Sequence, residues 1–291
     1  MRLSVVIPCH NEESVIGEQL EALTRQDWDH PWEIVVSDNG STDGSRAVVE
    51  RFHGRVPSLR IVDSSGSGGC AHARNVGIER ARGDLILNCD ADDVVADNFV
   101  AAMAKALETH DFVACRLEEH RLNEPWLAES WGNGQRDGLL GFSPRFLPFG
   151  GSGTLGFKRF VFDAVGGFDP TLRAREDNDF CWKVQLQGIP LHFVQETAVH
   201  YRYPISYSHM YRQSRLLAEF QVLLYRRYRS LGMPKLPLRK ALRGKVTWRK
   251  LMRQLLGLRG YERARRARFV RDLGHKVGRI KGSFRHRTLA F

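Results

Sequence analysis

Four things are scarce in this chain of 291 residues, and each narrows what it can be. No uninterrupted apolar stretch approaches 18 residues, so nothing reads as a membrane-spanning helix. The five cysteines (Cys9, Cys70, Cys89, Cys115, Cys181) are scattered and include no C-x-x-C pair. An odd, scattered set fits reduced thiols in the cytosol, and three of them lie in apolar stretches as small core residues. The start lacks the basic residues and small-residue cleavage site of a signal peptide, and opens at once on the strand-like run Leu3-Ser4-Val5-Val6-Ile7. A cytoplasmic protein is the expectation. Acidic residues are scarce in one region only. Residues 201–291 hold 25 Lys and Arg against 3 Asp and Glu, whereas residues 1–200 hold 19 against 30. The net charge of +11 therefore joins an acidic body to a strongly basic tail, and such asymmetry points to an anionic partner for the tail.

With 42% apolar residues the chain can build a sizeable core, and its first half alternates strand-like runs with helical patterns. Leu3–Ile7, Glu33–Ser37, Leu59–Val62, Asp84–Cys89 and Asp111–Cys115 read as strands. Between them Glu13–Arg25, Thr42–Phe52 (capped by Ser41 or Thr42), Ala71–Ala81 and Asn98–Leu107 carry helical spacing. This pace implies βαβ units and an α/β, doubly wound, mostly parallel sheet with helices on both faces. In such a sheet the loops at the carboxyl ends of the strands gather on one edge, where ligands bind. Here those loops are Pro8–Glu12, Asp38–Asp43, Ser64–Gly69 and Asp90–Asp93, all polar and each ending an apolar strand. Four in succession suggest a shared pocket. Asp90 and Asp92 are two apart on an extended chain and can face the same way. Paired carboxylates of this kind suit a hard cation, and Mg²⁺ in particular is held by one or two carboxylates plus substrate phosphates.

Ser4–Glu12, Glu33–Ser45, Ala73-Arg74-Asn75-Val76-Gly77, Ala81-Arg82-Gly83-Asp84, Asp90-Ala91-Asp92-Asp93, Gly166-Gly167-Phe168-Asp169 and Arg175–Phe180 with Gly188 together resemble the family 2 glycosyltransferases of the GT-A fold. The resemblance covers about residues 3–203. It implies a GT-A domain over 1–205, with a donor half of about 1–116 and an acceptor half of about 117–205, followed by a basic helical extension over 206–291. It also implies sugar transfer from a nucleotide-linked donor to a hydroxyl acceptor. Asp38 would accept the N3–H of uracil or thymine, favouring a UDP- or dTDP-linked donor; the alternative is an Asx turn. Pro8, His10, Asn11 and Glu12 would line base and ribose, and Arg74 would sit over the base or diphosphate unless it is a surface charge. Asp92 would be the main ligand of a divalent metal, Mn²⁺ or Mg²⁺, with Asp90 on the ribose or a metal-bound water, and Asp93 capping the next turn. Asp177, beside Glu176 at the start of a helix, would be the general base of an inverting reaction, with Asp179 second. His200 would be a further metal or phosphate ligand, or simply structural; Arg202 would meet the diphosphate or begin the tail.

Two rivals belong to other classes. A GT-A-like nucleotidyltransferase would need a glycine-rich, basic loop after the first strand, where Pro8–Glu12 sits instead. A catalytically inactive glycan- or nucleotide-binding module would not need every acidic position filled. Between Glu118 and Gly153 periodicity fades, and Trp126, Trp131, Phe142, Phe146 and Phe149 appear before Gly150–Thr154. This stretch reads as an acceptor-recognition insert, with a hydrophobic cluster beneath a long loop as the alternative. The acceptor stays open: glycan, lipid-linked or small molecule. In the tail, Ser206–Ser230 and two later amphipathic patterns, one around Val246–Leu256 and one around Phe269–Ile280, mix apolar and basic residues. They suit either docking on the body or peripheral attachment to an anionic membrane surface. No nucleic-acid recognition motif accompanies the charge.

Overall fold

The computed structural model describes residues 2–56, 58–132, 134–237, 246–256 and 262–289. Eight strands form one sheet in the order β3-β2-β1-β4-β7-β6-β8-β5. They are β1 (Leu3–Cys9), β2 (Trp32–Asp38), β3 (Leu59–Asp63), β4 (Leu85–Asn88), β5 (Val94–Val95), β6 (Phe112–Glu118), β7 (Leu155–Lys158) and β8 (His192–His200). The first four pair in parallel, as expected of runs joined by helices, and β6 pairs in parallel with β8. Antiparallel β7 slots between β4 and β6, and β5 pairs antiparallel with β8. The alternation of Leu3, Val5 and Ile7 with Val6 explains the two layers, because successive side chains leave opposite faces of a strand. One face packs Leu3, Val5 and Ile7 against α1 (Ile16–Thr24), α2 (Ser45–Glu50) and α4 (Phe99–Thr109). The other packs Val6, Val35, Ile86 and Phe112 against α3 (Cys70–Arg80), α6 (Arg159–Val165) and α7 (Glu176–Leu186). This is the doubly wound, GT-A-like arrangement.

Several local expectations change. Helix α2 begins at Ser45 behind Gly44, so neither Ser41 nor Thr42 caps it. Their hydroxyls instead meet Asn11 of the neighbouring loop. In the insert, Phe142, Phe146 and Phe149 surround the buried Trp182 of α7 at 4.7, 5.2 and 6.5 Å between ring centroids. They are core residues. Trp131, at the end of α5 (Pro125–Trp131), stacks on Tyr203 at 4.8 Å.

The tail carries three described helices: α8 (Tyr207–Tyr228), α9 (Trp248–Leu256) and α10 (Arg263–Arg285). Ser206 caps α8 by accepting from the His209 N–H. Phe220, Val222, Leu224, Tyr225 and Tyr228 of α8 join the core that holds Trp182. Helix α10 lies along α8 through Gly274, Gly278 and Gly282, one per turn. A Cβ at these positions would come within 2.6, 2.1 and 2.7 Å of the carbonyl oxygens of Tyr211, Arg215 and Glu219. The absence of side chains is thus what lets the two backbones meet. No described helix is long and apolar enough to cross a membrane.

Candidate functional site

The loops at the strand ends are tied to one another before any ligand arrives. Pro8 is buried inside β1, opposite Ser37 of β2, so the loop presents His10, Asn11 and Glu12 rather than all four residues. Asn11 takes a left-handed backbone (φ 58°), a conformation Asn tolerates better than most residues. That turn lets its N–H donate to Ser41 Oγ (3.1 Å) while its Oδ1 accepts from the Thr42 N–H (2.8 Å). His10 Nδ1 donates to the Asn39 carbonyl at 2.9 Å. Asn39, unremarked in the sequence, staples the third loop: its Nδ2 donates to the carbonyls of Ser64 and Ser67, and its Oδ1 accepts from the Gly69 N–H. Asp38 Oδ1 accepts from the Ser41 N–H at 3.1 Å, a local bond to the backbone three residues on rather than the two of an Asx turn.

At the end of β4 the carboxylates converge. Gln19 of α1 is fully buried, and its amide clamps this loop by donating to the Asp90 carbonyl (3.2 Å) and accepting from the Val95 N–H (3.0 Å). A Gln at a buried position of an amphipathic helix was the signal that could have found it. Gly153 passes so close to Asp90 that a Cβ would lie 2.7 Å from Asp90 Oδ2. The glycine run therefore admits Asp90 itself. Asp92 is pushed up to about 6, first by burial and then by Asp90. Glu12 is pushed up to about 7 by burial and then by Asp92, with Asp43 and Asp90 adding to it. Asp93 is buried and accepts from the Arg202 N–H at 2.9 Å. It fastens the end of β8 and does not cap the next turn. Arg202 Nε also donates to the Asp92 carbonyl (2.9 Å), and its Nη2 pairs with Glu18.

Arg74 of α3 spans the pocket. Its side chain is 2% exposed, with Nη2 on Asp90 Oδ1 at 2.5 Å and Nη1 on Glu176 Oε1 at 3.0 Å. A buried guanidinium stays charged and is costly unless anions pair with it, and two carboxylates do so here. One side chain thus connects the end of β4 to the start of α7. Arg175 enters α7 in the left-handed region (φ 67°), a strained position for a residue with a Cβ. Asp177 follows, half-buried, and burial together with the adjacent Glu176 carboxylate pushes it up to about 7.

Other expected roles fail. Asp179 is enclosed by Arg227 (2.7 Å), the Tyr228 hydroxyl (2.8 Å) and Lys183 (3.3 Å), so it ties α7 to α8 and is not open to act as a base. His200 is not brought to the aspartates. Its Nδ1 meets Glu118 Oε2 at 2.8 Å and its Nε2 meets Arg121 at 3.0 Å, which uses the lone pair a metal would need. Among the described residues no three His, Cys, Asp or Glu side chains form a closed metal cage. The donor set still fits a Mg²⁺- or Mn²⁺-type ion held by one or two carboxylates and completed by phosphates. Asp92 and Asp90 are crowded with Glu12, and their mutual repulsion is what a cation would relieve.

Comparison with known proteins bears on the family and the fold. The family model described as glycosyl transferase family 2 matches residues 4–166. An uncharacterized glycosyltransferase of Bacillus subtilis (strain 168), YfnE, is 35% identical over 120 residues, 40% of this chain and 30% of that protein. TarS of Staphylococcus aureus (strain Mu50 / ATCC 700699), a poly(ribitol-phosphate) beta-N-acetylglucosaminyltransferase, is 32% identical over 112 residues, 38% of this chain and 19% of TarS. The match thus spans a third or less of these two curated relatives. The crystal structure of S. aureus TarS 1–349 in complex with UDP superposes with a TM-score of 0.57 at 19% identity, covering 99% of this chain and 92% of that one. The mannosyltransferase PcManGT of Pyrobaculum calidifontis, in complex with GDP-Man and Mn²⁺, gives 0.66 at 21% identity, covering 96% and 87%.

Proposed function

Because the chain belongs to glycosyl transferase family 2, whose model matches more than half of its length, we propose that it is a metal-dependent, inverting glycosyltransferase using a UDP- or dTDP-linked donor. The observation that supports this reading is the Arg74 bridge, which ties Asp90, two residues from Asp92, to Glu176, the neighbour of Asp177. In the reaction an acceptor hydroxyl attacks the anomeric carbon, the bond to the diphosphate breaks, and its electron pair leaves with the nucleotide. Asp177 takes the hydroxyl proton. A carboxylate poised near 7 is matched to that task, because it is a stronger base than an exposed aspartate yet is largely deprotonated just above neutrality. Asp92 and Asp90 would hold the divalent ion, which when bound neutralises charge growing on the leaving diphosphate. Asp38 spends Oδ1 on its own turn and keeps Oδ2 for a base N3–H. Glu12, His10 and Asn11 lie beside it, held for the base and ribose.

TarS, by its name, acts on a poly(ribitol-phosphate), and for this chain we infer a cell-envelope or lipid-linked acceptor. Helix α9 supports attachment at an anionic lipid surface. Trp248, Met252 and Leu255 are exposed on it beside Arg249, Lys250 and Arg253, an apolar face flanked by cations. A thermal-shift panel of nucleotides with and without Mn²⁺ tests the central claim. UDP or dTDP should raise the melting temperature more with the metal than without it, as a ligand that binds only the native state must. Asp92→Ala should remove that gain. An unchanged metal effect in the variant sinks the assignment.

A further inference from the structure

Between the loop that precedes α7, helix α8 and the end of α10 lies a cavity of about 360 Å³. Arg173, Arg212, Arg215, Lys281 and Arg285 line it, and among the described residues Glu219 is its only carboxylate. Glu219 is 2% exposed and already holds Lys281 (3.0 Å) and Arg285 (2.9 Å). Arg173, Arg212 and Arg215 have no ion pair among the described residues, and Arg215 Nε is buried without a hydrogen-bond partner. Some other surface arginines of the tail do find carboxylates: Arg263 meets Glu124, Arg265 meets Glu262 and Arg268 meets Glu129. The site is concave and solvent-accessible, and it gathers five cations around one carboxylate that is already paired. Guanidinium forks match the oxygens of a phosphate, and a dianion supplies the missing counter-charge.

Position connects this cavity to the reaction. Arg173 precedes Asp177 by four residues, so their Cα atoms are at most about 14 Å apart. Helix α8, which forms the cavity wall, accepts a bond at the Leu217 carbonyl from Arg175 Nε (3.5 Å), and its Arg227 holds Asp169 and Asp179 at 2.9 and 2.7 Å. The helix that carries the base is therefore bonded to the helix that carries Arg212 and Arg215. We propose that the cavity binds a phosphate group of the acceptor, so that the acceptor is a phosphate mono- or diester whose hydroxyl reaches Asp177. This rests on the glycosyltransferase reading and names the substrate class that reading leaves open. The phosphate can belong to a soluble polyol or sugar phosphate or to a lipid headgroup.

The full-length protein separates these sources. At constant ionic strength, glycerol 3-phosphate should bind the wild type and glycerol should not. The double variant Arg212→Gln/Arg215→Gln should bind glycerol 3-phosphate at least about tenfold more weakly, the loss expected for charge-assisted hydrogen bonds. Its Mn²⁺-dependent UDP affinity should be unchanged, which also shows that it folds, and Arg212→Lys/Arg215→Lys should recover part of the loss. If the effect appears only as lost co-sedimentation with phosphatidylcholine vesicles containing phosphatidic acid, the phosphate is a lipid's. Equal binding of both probes by the wild type and the Gln double variant overturns the proposal. Phosphate binding through these arginines in a protein that binds no nucleotide would instead overturn the glycosyltransferase reading and leave the phosphate site standing.

Discussion

At the strand ends, Glu12, Asp90 and Asp92 crowd together, and burial and mutual repulsion push Glu12 and Asp92 toward neutrality. On the side formed by the loop before α7 and by α8, Arg173, Arg212 and Arg215 crowd together with too few carboxylates. The first group is placed by backbone pairing of adjacent strands β1 and β4. The second is placed by packing of helices more than a hundred residues further along the chain. Arg74 and Glu219 show that the protein can pair buried charges when nothing else is to come. Surplus negative charge in one region and surplus positive charge in the other is what binding a metal–diphosphate in the first and an anion in the second requires.

The largest effect that probes this comparison is on the base. Asp177→Asn should lower the transfer rate about a thousandfold while leaving Mn²⁺-dependent UDP affinity unchanged. Asp177 is raised to about 7, so it is protonated and idle below that pH, and the wild-type rate should fall about tenfold per pH unit there and level off above. The variant's residual rate should lose that slope. Full activity in Asp177→Asn, measured by product formation, removes it as the base.

Next in size is the seating of the cationic wall. Gly278→Ala puts a methyl against the Arg215 carbonyl, so α10 must move off α8, at a cost of about 1–3 kcal/mol for an overpacked contact. Denaturant melts should show this loss, while Gly138→Ala, where a Cβ would meet nothing within 4 Å, should not. If both variants melt alike, the close approach of the two helices is not holding the wall. The smallest effect belongs to α9: Trp248→Glu with Met252→Glu should weaken binding to anionic vesicles without changing transfer to a soluble acceptor. Vesicle co-sedimentation equal to that of the wild type refutes the surface role.

The strand–helix alternation was legible because β1 to β4 and α1 to α4 are periodic and joined by turn-forming loops. The acidic strand end and the start of α7 were legible for the same reason, since each sits at the boundary of a periodic element. What escaped depends on distant partners. Antiparallel β7 is only Leu155–Lys158, and β5 only Val94–Val95, too short for a pattern. Phe142, Phe146 and Phe149 looked free for a sugar because Trp182, the ring they enclose, lies over thirty residues downstream. Asp179 and His200 carry the right chemistry for catalysis, yet Arg227 and Glu118 claim them through long-range contacts. The clamps Gln19 and Asn39 act through backbone groups, which leave no side-chain motif to read.

The strand order also bears on how the molecule behaves among copies of itself. An open sheet ends in two strands whose outer N–H and C=O groups can recruit another chain. Here one end is β5, whose two residues are too few to template a partner. At the other end is β3, five residues long, where Arg60 reaches Glu33 at 2.8 Å and the Arg80 carbonyl at 2.7 Å and sets a charged side chain on the border. The β3 border thus does not offer the long, flat, apolar strand that edge-to-edge aggregation uses, while the carboxyl ends of the strands stay open for ligands.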